Sequence, residues 1–276
     1  MRIADLPPRP FARGLAARER PGPGDRVLWL HGYTLDASSW ETMWGLMPGW
    51  HHIGLDLPGH GASDPIPPEG NIRELGERLA EACQREGIRH LVALSFGTIT
   101  ATQIALELPD FFRSLVLGAP SLAGGPQDPE VGKIYAQMFA MYRRGARGPE
   151  LLDLWMSCRA WDGVEKVPGL RAELGALVAR HPWAELGSYA VRQFTWPAQD
   201  EEALARIRTP TLVVVGDAEL PPFVEVADRL ARRLPEVRRC TLQDTGHLCM
   251  LQSPGPSAAA ITEHLRRHAV QAPPEG

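Results

Sequence analysis

A serine lies in the middle of a short run of small and apolar residues, Ala93-Leu94-Ser95-Phe96-Gly97. The residues before it predict a strand over 90–94, and the Thr-, Ile- and Ala-rich stretch after it predicts a helix over 97–107. A strand that turns sharply into a helix holds the middle residue in a strained conformation at the carboxyl edge of a sheet, with its side chain pointing outward. The segment therefore predicts a nucleophilic serine, with Ala93 and Thr98 standing where glycine is more common.

A histidine near the end of the chain is placed to activate this serine. A serine hydroxyl is a poor nucleophile at neutral pH and needs an adjacent general base. After a turn of this kind, the partners follow in the order serine, acid, histidine. His247 comes after a predicted strand over 238–242 and before the last predicted helix, over 256–268. This position predicts His247 as the general base.

The acid of such a site is expected after the preceding strand, which is predicted over 211–215. The residues that follow are Gly216-Asp217-Ala218-Glu219. An acid three positions after the glycine is the common arrangement, and this register favours Glu219. Asp217 remains the alternative, because aspartate is the more usual residue type. Glutamate can orient the histidine and stabilise its imidazolium as aspartate does.

Two backbone N–H groups must stabilise the oxyanion that forms when a serine attacks a carbonyl. One is predicted to be that of Phe96, directly after the serine. The other is predicted to be that of Tyr33, in the loop 31–33 after the first predicted strand. The Tyr33 ring is expected to form part of the pocket wall. His31 is expected to hold this loop by hydrogen bonds rather than to act as a second base.

Strands alternate with helices through most of the chain, which predicts a mostly parallel, doubly wound α/β sheet covered on both faces. The strands are predicted at 26–31, 51–55, 90–94, 112–117, 211–215 and 238–242, and the helices between them at 37–47, 71–85, 97–107, 222–234 and 256–268. From about residue 121 to 200 only amphipathic helical patterns occur, at 131–144, 150–161, 170–178 and 183–194. We therefore expect a core domain in two parts, 1–120 and 206–276, with a helical cap over 121–205.

The predicted cap is rich in large apolar side chains, and we expect most of them to pack its helices onto the core. Some should face the substrate. The predicted pocket residues are Met138, Tyr142 and Trp155 of the cap, together with His31, Gly32 and Leu248 of the core. A pocket of this composition predicts a small apolar molecule as substrate.

Composition excludes several other classes of protein. The formal net charge of −4 over 276 residues lacks the positive surface that nucleic-acid binding needs. No stretch approaches the ~20 apolar residues of a membrane span, and the first 25 residues lack the apolar run of a secretory signal. The four cysteines have no zinc-site spacing, which predicts free thiols in a reducing compartment. Together with the missing signal and membrane span, this predicts a cytoplasmic protein. The predicted chemistry needs neither a metal nor an organic cofactor. The oligomeric state stays open.

The quoted motifs resemble those of the α/β-hydrolase superfamily. The match covers HGY at 31–33, DLPGHGASD at 56–64, ALSFG at 93–97, GDAE at 216–219 and TGH at 245–247. The resemblance implies an α/β-hydrolase fold with a helical cap insertion, and it implies that Asp56 and His60 brace the sheet edge rather than react. A serine in the turn disfavours dehalogenases and epoxide hydrolases, which have aspartate there. The inserted helices are similar to the lid of small-molecule esterases and carbon–carbon bond hydrolases.

These residues predict acyl transfer to water. Ser95 would attack a carbonyl carbon while His247 takes its proton, and water would then release the acyl enzyme. The bond cleaved would be an ester, a thioester or an activated carbon–carbon bond. The alternative is a lyase, cyclase or isomerase that uses His247 as acid–base without a covalent Ser95 intermediate. A non-catalytic binding protein is the third hypothesis, because a fold does not fix function.

Overall fold

The computed structural model describes residues 1–188 and 190–269. Within them the chain forms one eight-stranded sheet in the order β1-β2-β4-β3-β5-β6-β7-β8. Strands β3 to β8 run parallel to one another, whereas β2 pairs antiparallel with both β1 and β4. The strands are β1 Arg9–Ala12, β2 Leu15–Arg20, β3 Arg26–Leu30, β4 His51–Leu55, β5 His90–Leu94, β6 Ser114–Gly118, β7 Thr211–Gly216 and β8 Val237–Leu242.

Helices cover both faces of the sheet, and the predicted doubly wound α/β fold is confirmed. Alternate residues of β3 point to opposite sides: Val27 and Trp29 belong to one buried cluster, and Leu28 and Leu30 to the other. The helices are α1 Glu41–Leu46, α2 Ile72–Glu86, α3 Phe96–Glu107, α4 Pro129–Arg143, α5 Pro149–Met156, α6 Leu170–Val178, α7 Ala190–Phe194, α8 Glu201–Leu204, α9 Pro221–Arg233, α10 Cys249–Gln252 and α11 Pro254–His268.

Between β6 and β7 the described residues form helices α4 to α8 with short 3₁₀ turns and loops. Two helices predicted for this segment are shorter than expected. The helix predicted over 150–161 ends at Met156 and continues as a 3₁₀ turn, Arg159–Trp161. The helix predicted over 183–194 divides into a 3₁₀ turn, Ala184–Gly187, and α7, and Tyr189 between them lies outside the described residues. Similarly, the helix predicted over 37–47 begins as a 3₁₀ turn, Ala37–Trp40.

No helix in the described part of the chain is long and apolar enough to span a membrane.

Strands β1 and β2 were not predicted. They form a hairpin joined by Arg13 and Gly14, and Gly14 has the positive φ of 73° that the turn requires. The hairpin lies at the edge of the sheet, and the buried residues of β2 are Leu15 and Ala17. Its outward Arg18 instead pairs with the buried Asp56, at 2.7 Å. A short strand of this kind, rich in Arg and Ala, gives almost no alternating apolar pattern for a sequence-based prediction to detect.

Helix α2 shows why the amphipathic prediction succeeded. Asn71 caps its first turn by accepting the Glu74 N–H at 3.0 Å, and Gly87 ends it in a left-handed conformation with φ 65°. Its buried residues recur at helical spacing and pack on α3 and the sheet: Ile72, Leu75, Leu79 and Cys83. The cap residue matters for function, because Asn71 also lines the central cavity described below.

Buried histidines make the stability of this fold sensitive to acid. Burial lowers the pKa of His52, His90 and His264 from the ordinary 6.5 to about 4. Below pH 6.5 the unfolded chain therefore binds protons that the native protein resists. The stabilisation is complete above the ordinary value and is lost as the pH falls toward about 4.

We expect urea unfolding to show a lower stability at about pH 5 than at about pH 7. His264→Gln should reduce this difference by about 1–2 kcal/mol, since one titrating group is removed while a donor to the Pro210 carbonyl remains. An unchanged difference in the variant would contradict the assignment of a neutral His264.

Candidate active site

Ser95 lies at the point where β5 ends and α3 begins. Its backbone has φ 51° and ψ −120°, a conformation that residues other than glycine rarely adopt. A Cβ at Gly97 would lie 2.5 Å from the Leu30 carbonyl oxygen and 2.6 Å from that of His31, so only glycine allows α3 to start this close to β3. The predicted sharp turn is thus present, and it pushes the Ser95 side chain out at the carboxyl edge of the sheet.

Thr98 ties this turn to the next loop of the sheet edge. Its buried hydroxyl accepts the Ser121 N–H at 2.8 Å and donates to the Ser95 carbonyl oxygen. A glycine at this position would make neither bond. Thr98, which departs from the usual motif, therefore adds two hydrogen bonds that hold the turn at Ser95 in place.

Ser95, His247 and Glu219 form one hydrogen-bonded chain. The Ser95 Oγ lies 2.8 Å from His247 Nε2, and His247 Nδ1 lies 3.0 Å from Glu219 Oε1. Because a carboxylate only accepts, Nδ1 must carry the proton, which leaves Nε2 free to accept from the serine hydroxyl. His247 is 5% exposed and Glu219 is 9% exposed, so the chain lies largely out of water. The geometry can move a proton from the hydroxyl to the imidazole and hold the resulting imidazolium beside a carboxylate.

The structure distinguishes Glu219 from Asp217, the two carboxylates between which the sequence did not decide. Glu219 accepts from both His247 and the Leu220 N–H through Oε1. Asp217 is exposed and accepts the Thr245 N–H at 3.1 Å instead. Donation from the backbone N–H of Asp244 contributes most to lowering the Asp217 pKa below its ordinary value. Asp217 thus fastens the loop that carries His247 but does not reach the imidazole.

The histidine loop is also held from the helical side. Gln252 accepts the Gly246 N–H at 2.7 Å and donates to the Asp162 carbonyl oxygen at 2.8 Å, so one buried amide bridges the loop and the helical segment between β6 and β7. On the sheet side, a Cβ at Gly216 would lie 2.2 Å from the Thr245 carbonyl oxygen. The close approach explains why a glycine precedes the acid loop.

The loop after β3 lies against the serine. A Cβ at Gly32 would be 3.6 Å from the Ser95 Cβ, and the next amide, that of Tyr33, has no acceptor among the described residues. Phe96 is the first residue of α3, where amides point away from the helix body. Two amides in these positions could bind an oxyanion formed at Ser95.

His31 and His60 hold this loop from below. His31 Nδ1 donates to the Gly32 carbonyl oxygen at 2.8 Å, and its Nε2 accepts the Leu57 N–H at 3.0 Å. His60 Nε2 accepts the Thr34 N–H at 3.1 Å. Burial lowers the pKa of both rings, which keeps them neutral as these bonds require. Neither ring has a nitrogen left for acid–base chemistry at Ser95.

The serine opens into a cavity of about 1240 Å³ between the sheet and the helical segment. Of the residues predicted for the pocket and reaction, seven line it: Gly32, Tyr33, Ser95, Phe96, Trp155, His247 and Leu248. Three predicted pocket residues do not. His31 is sealed under its loop, Met138 is fully buried among the helices, and Tyr142 packs against Arg147, 3.6 Å from its ring. Only the first two turns of α4 reach the cavity, through Val131 and Tyr135, and Met138 and Tyr142 lie beyond them.

Several cavity residues were missed from the sequence. Glu69 and Asn71 reach it from the loop before α2, Phe223 from α9, and Arg192 and Trp196 from the region of α7. No local pattern marks them, because each is brought to the cavity by the packing of elements distant in sequence. Most of the remaining lining is apolar, including Ile99, Val131, Trp161 and Val191. In the described part of the chain, no group of three or more His, Cys, Asp or Glu side chains could hold a metal ion.

A serine turn on the central strand of a mostly parallel sheet, with a histidine and an acid from the later loops, is the arrangement of α/β hydrolases. The model of the alpha/beta hydrolase family matches residues 27–260, and the chain belongs to this family. The resemblance seen in the sequence motifs is therefore confirmed.

Individual relatives with different activities share this fold. The chain is 26% identical to 2-succinyl-6-hydroxy-2,4-cyclohexadiene-1-carboxylate synthase of Enterobacter sp. (strain 638), covering 87% of this chain and 91% of that protein. It is 25% identical to monoacylglycerol lipase abhd6-B of Xenopus laevis, covering 90% and 77%. The structure of a thermophilic esterase from Thermogutta terrifontis superposes with a TM-score of 0.76 at 24% identity, covering 93% of this chain and 94% of that one. These similarities support an enzyme but leave the reaction open.

Proposed function

We propose that this protein is a serine hydrolase that cleaves an ester of a small apolar molecule through an acyl-enzyme. The observation that carries the proposal is the continuous chain from Ser95 Oγ through His247 to Glu219, at 2.8 and 3.0 Å. A serine in a strained turn, with an imidazole in hydrogen-bond reach and a carboxylate behind it, has the geometry of an activated nucleophile.

In the proposed reaction, Ser95 Oγ attacks the substrate carbonyl carbon and its proton passes to His247 Nε2. The carbonyl oxygen becomes an oxyanion, which the amides of Tyr33 and Phe96 stabilise. Glu219 holds the imidazolium, which then protonates the leaving alcohol as the carbon–oxygen bond breaks. Water attacks the acyl-enzyme with His247 again as base, and Ser95 is regenerated. This scheme uses no metal or organic cofactor.

The volume and the lining of the cavity favour an apolar substrate with a bulky acyl group. Its volume of about 1240 Å³ exceeds the roughly 300–1,000 Å³ common for small-ligand sites. Among the described residues that line the cavity, the charged side chains are Glu69 and Arg192. Burying an alkyl or aromatic acyl group against the remaining apolar wall would gain about 25 cal/mol per Å² of apolar surface removed from water. We therefore propose an ester with a bulky acyl group, rather than a charged or phosphorylated substrate. The helical segment between β6 and β7 would act as the cap of the cavity. The cytoplasmic location stays a prediction.

Labelling with a fluorophosphonate tests the proposal directly. We expect intact-mass spectrometry to show a single covalent adduct on the wild-type protein, and peptide mapping to place it on Ser95. A parallel panel of p-nitrophenyl esters should show kcat/KM rising from the acetate to longer acyl chains. A folded protein that forms no adduct and hydrolyses no ester of the panel would overturn the proposal.

The second candidate is a reaction without a covalent serine intermediate. It is favoured by one finding, that a relative matching over most of both chains is a synthase rather than a hydrolase. In that case His247 would move protons on a bound substrate, and Ser95 would only hydrogen-bond to it.

A further inference from the structure

The Tyr33 side chain reaches away from the reaction centre to a buried carboxylate of the helical segment. Its hydroxyl donates to Glu185 Oε1, across 152 residues of sequence. His181 Nε2 donates to the same oxygen at 3.0 Å. The side chains of His181 and Glu185 are only 1% and 2% exposed. Glu185, which belongs to the helical segment, therefore accepts hydrogen bonds both from that segment and from the loop whose Tyr33 amide is proposed for the oxyanion hole.

Glu185 is held in its charged form despite its burial. Burial alone would raise the pKa of this carboxyl, but donation from His181 and Tyr33 lowers it below its ordinary value. The same burial and the negative charge of Glu185 raise the pKa of Tyr33, so the phenol keeps its proton and donates it. A hydrogen bond from a neutral hydroxyl to a buried carboxylate is among the stronger ones in proteins. It fixes the far end of the Tyr33 side chain.

The near end of Tyr33 is its backbone amide, next to Ser95. Between the two ends the ring packs edge-on against Trp155, at 5.3 Å between centroids, and against Phe96, at 5.9 Å. The following residue is held from the same side, because Trp155 Nε1 donates to Thr34 Oγ1 at 2.8 Å. The loop that presents the Tyr33 amide is thus bound to the helical segment at two consecutive residues.

We propose that Glu185 is a positioning residue for the oxyanion hole. By holding the Tyr33 hydroxyl, it sets the direction of the Tyr33 amide at Ser95 and makes that direction depend on the seating of the helical segment. A donor of the oxyanion hole must point at the right position before the reaction begins. Its hydrogen bond to the substrate oxygen accelerates the reaction only as far as that bond is stronger in the transition state than in the substrate complex. This inference rests on the proposed function, since it concerns the same Ser95 reaction.

Tyr33→Phe removes the hydrogen bond and keeps the ring. We expect kcat to fall about tenfold with KM within about twofold, because a misaimed oxyanion donor weakens transition-state binding only. Glu185→Gln should lower kcat in the same way but less, since an amide oxygen is a weaker acceptor. The double variant should lose no more than Tyr33→Phe alone, because both changes act on the same hydrogen bond. Tyr142→Phe, a tyrosine outside the cavity, is the matched control and should leave kcat unchanged.

Turnover is counted per active site titrated with a fluorophosphonate, so a loss of folded protein does not register as a loss of kcat. A purely structural role for Glu185 would lower the melting temperature and leave kcat per titrated site unchanged, which would overturn the inference. Losses that multiply in the double variant, or a change confined to KM, would also overturn it. Failure of the proposed function is a separate result: the wild-type protein itself would then carry no adduct on Ser95.

Discussion

Ser95→Ala is expected to lower turnover of an ester substrate by at least about 10³-fold. The alanine cannot form the acyl-enzyme, and the loss should appear in kcat while substrate binding is largely retained. Residual activity would come from direct attack by water on a substrate that is held in the cavity and polarised by the oxyanion amides. Steady-state kinetics with the best ester of the panel measures the effect.

The matched control is Ser157→Ala, which removes a hydroxyl from an exposed serine whose Oγ donates only to the Leu154 carbonyl oxygen. It should retain full turnover. If Ser95→Ala keeps activity within a few-fold of wild type, the covalent mechanism is wrong. The reaction would then be assigned to His247 acting as acid–base on a bound substrate, as in the second candidate.

Glu219→Gln is expected to lower kcat by about 10²–10⁴-fold. The substituted side chain keeps its length, but it no longer supplies the negative charge that stabilises the imidazolium and selects the Nδ1–H tautomer. The second carboxylate oxygen, Oε2, is buried without a partner among the residues described, so the amide group of glutamine would find no compensating acceptor there. The loss should be in kcat, with fluorophosphonate labelling of Ser95 slowed in parallel.

Asp217→Asn is the control for this variant, because it changes the other carboxylate of the same loop. Asparagine keeps an oxygen that can accept the Thr245 N–H, and we expect activity within a few-fold of wild type. The opposite ranking, with Asp217→Asn the more damaging change, would transfer the role of the acid to Asp217.

The local chemistry of this protein is encoded in short stretches of sequence. Ser95 could be located because the strand, the small residues and the helix around it are contiguous. His247 was predicted from its place between a predicted strand and the last predicted helix, and Glu219 was favoured over Asp217 by its position after the strand predicted over 211–215. The structure brings Ser95, His247 and Glu219 together. These inferences used the local pattern around each residue, together with the chain order of serine, acid and histidine that is typical after such a turn. The alternation of strands and helices likewise sufficed to predict the sheet and its two covered faces.

Other features depend on contacts between segments that no local pattern connects. The edge hairpin of β1 and β2 is stabilised by pairing with β4 rather than by an apolar pattern of its own. Met138 and Tyr142 were expected in the pocket because of their size and their place in the helical segment. The direction in which α4 leaves the cavity decided that neither reaches it, and this direction is set by packing between helices.

The sequence by itself therefore determined the fold class, the sharp turn at Ser95, and the chain order of the acid and the histidine that meet it. Only the tertiary structure decided which acid faces His247, which side chains enclose the cavity, and that Glu185 meets Tyr33 across 152 residues. The physical reason is the range of the interactions. Backbone conformation and amphipathic periodicity are set by near neighbours, whereas a buried hydrogen bond between two distant segments forms only when the whole helical segment is seated on the sheet.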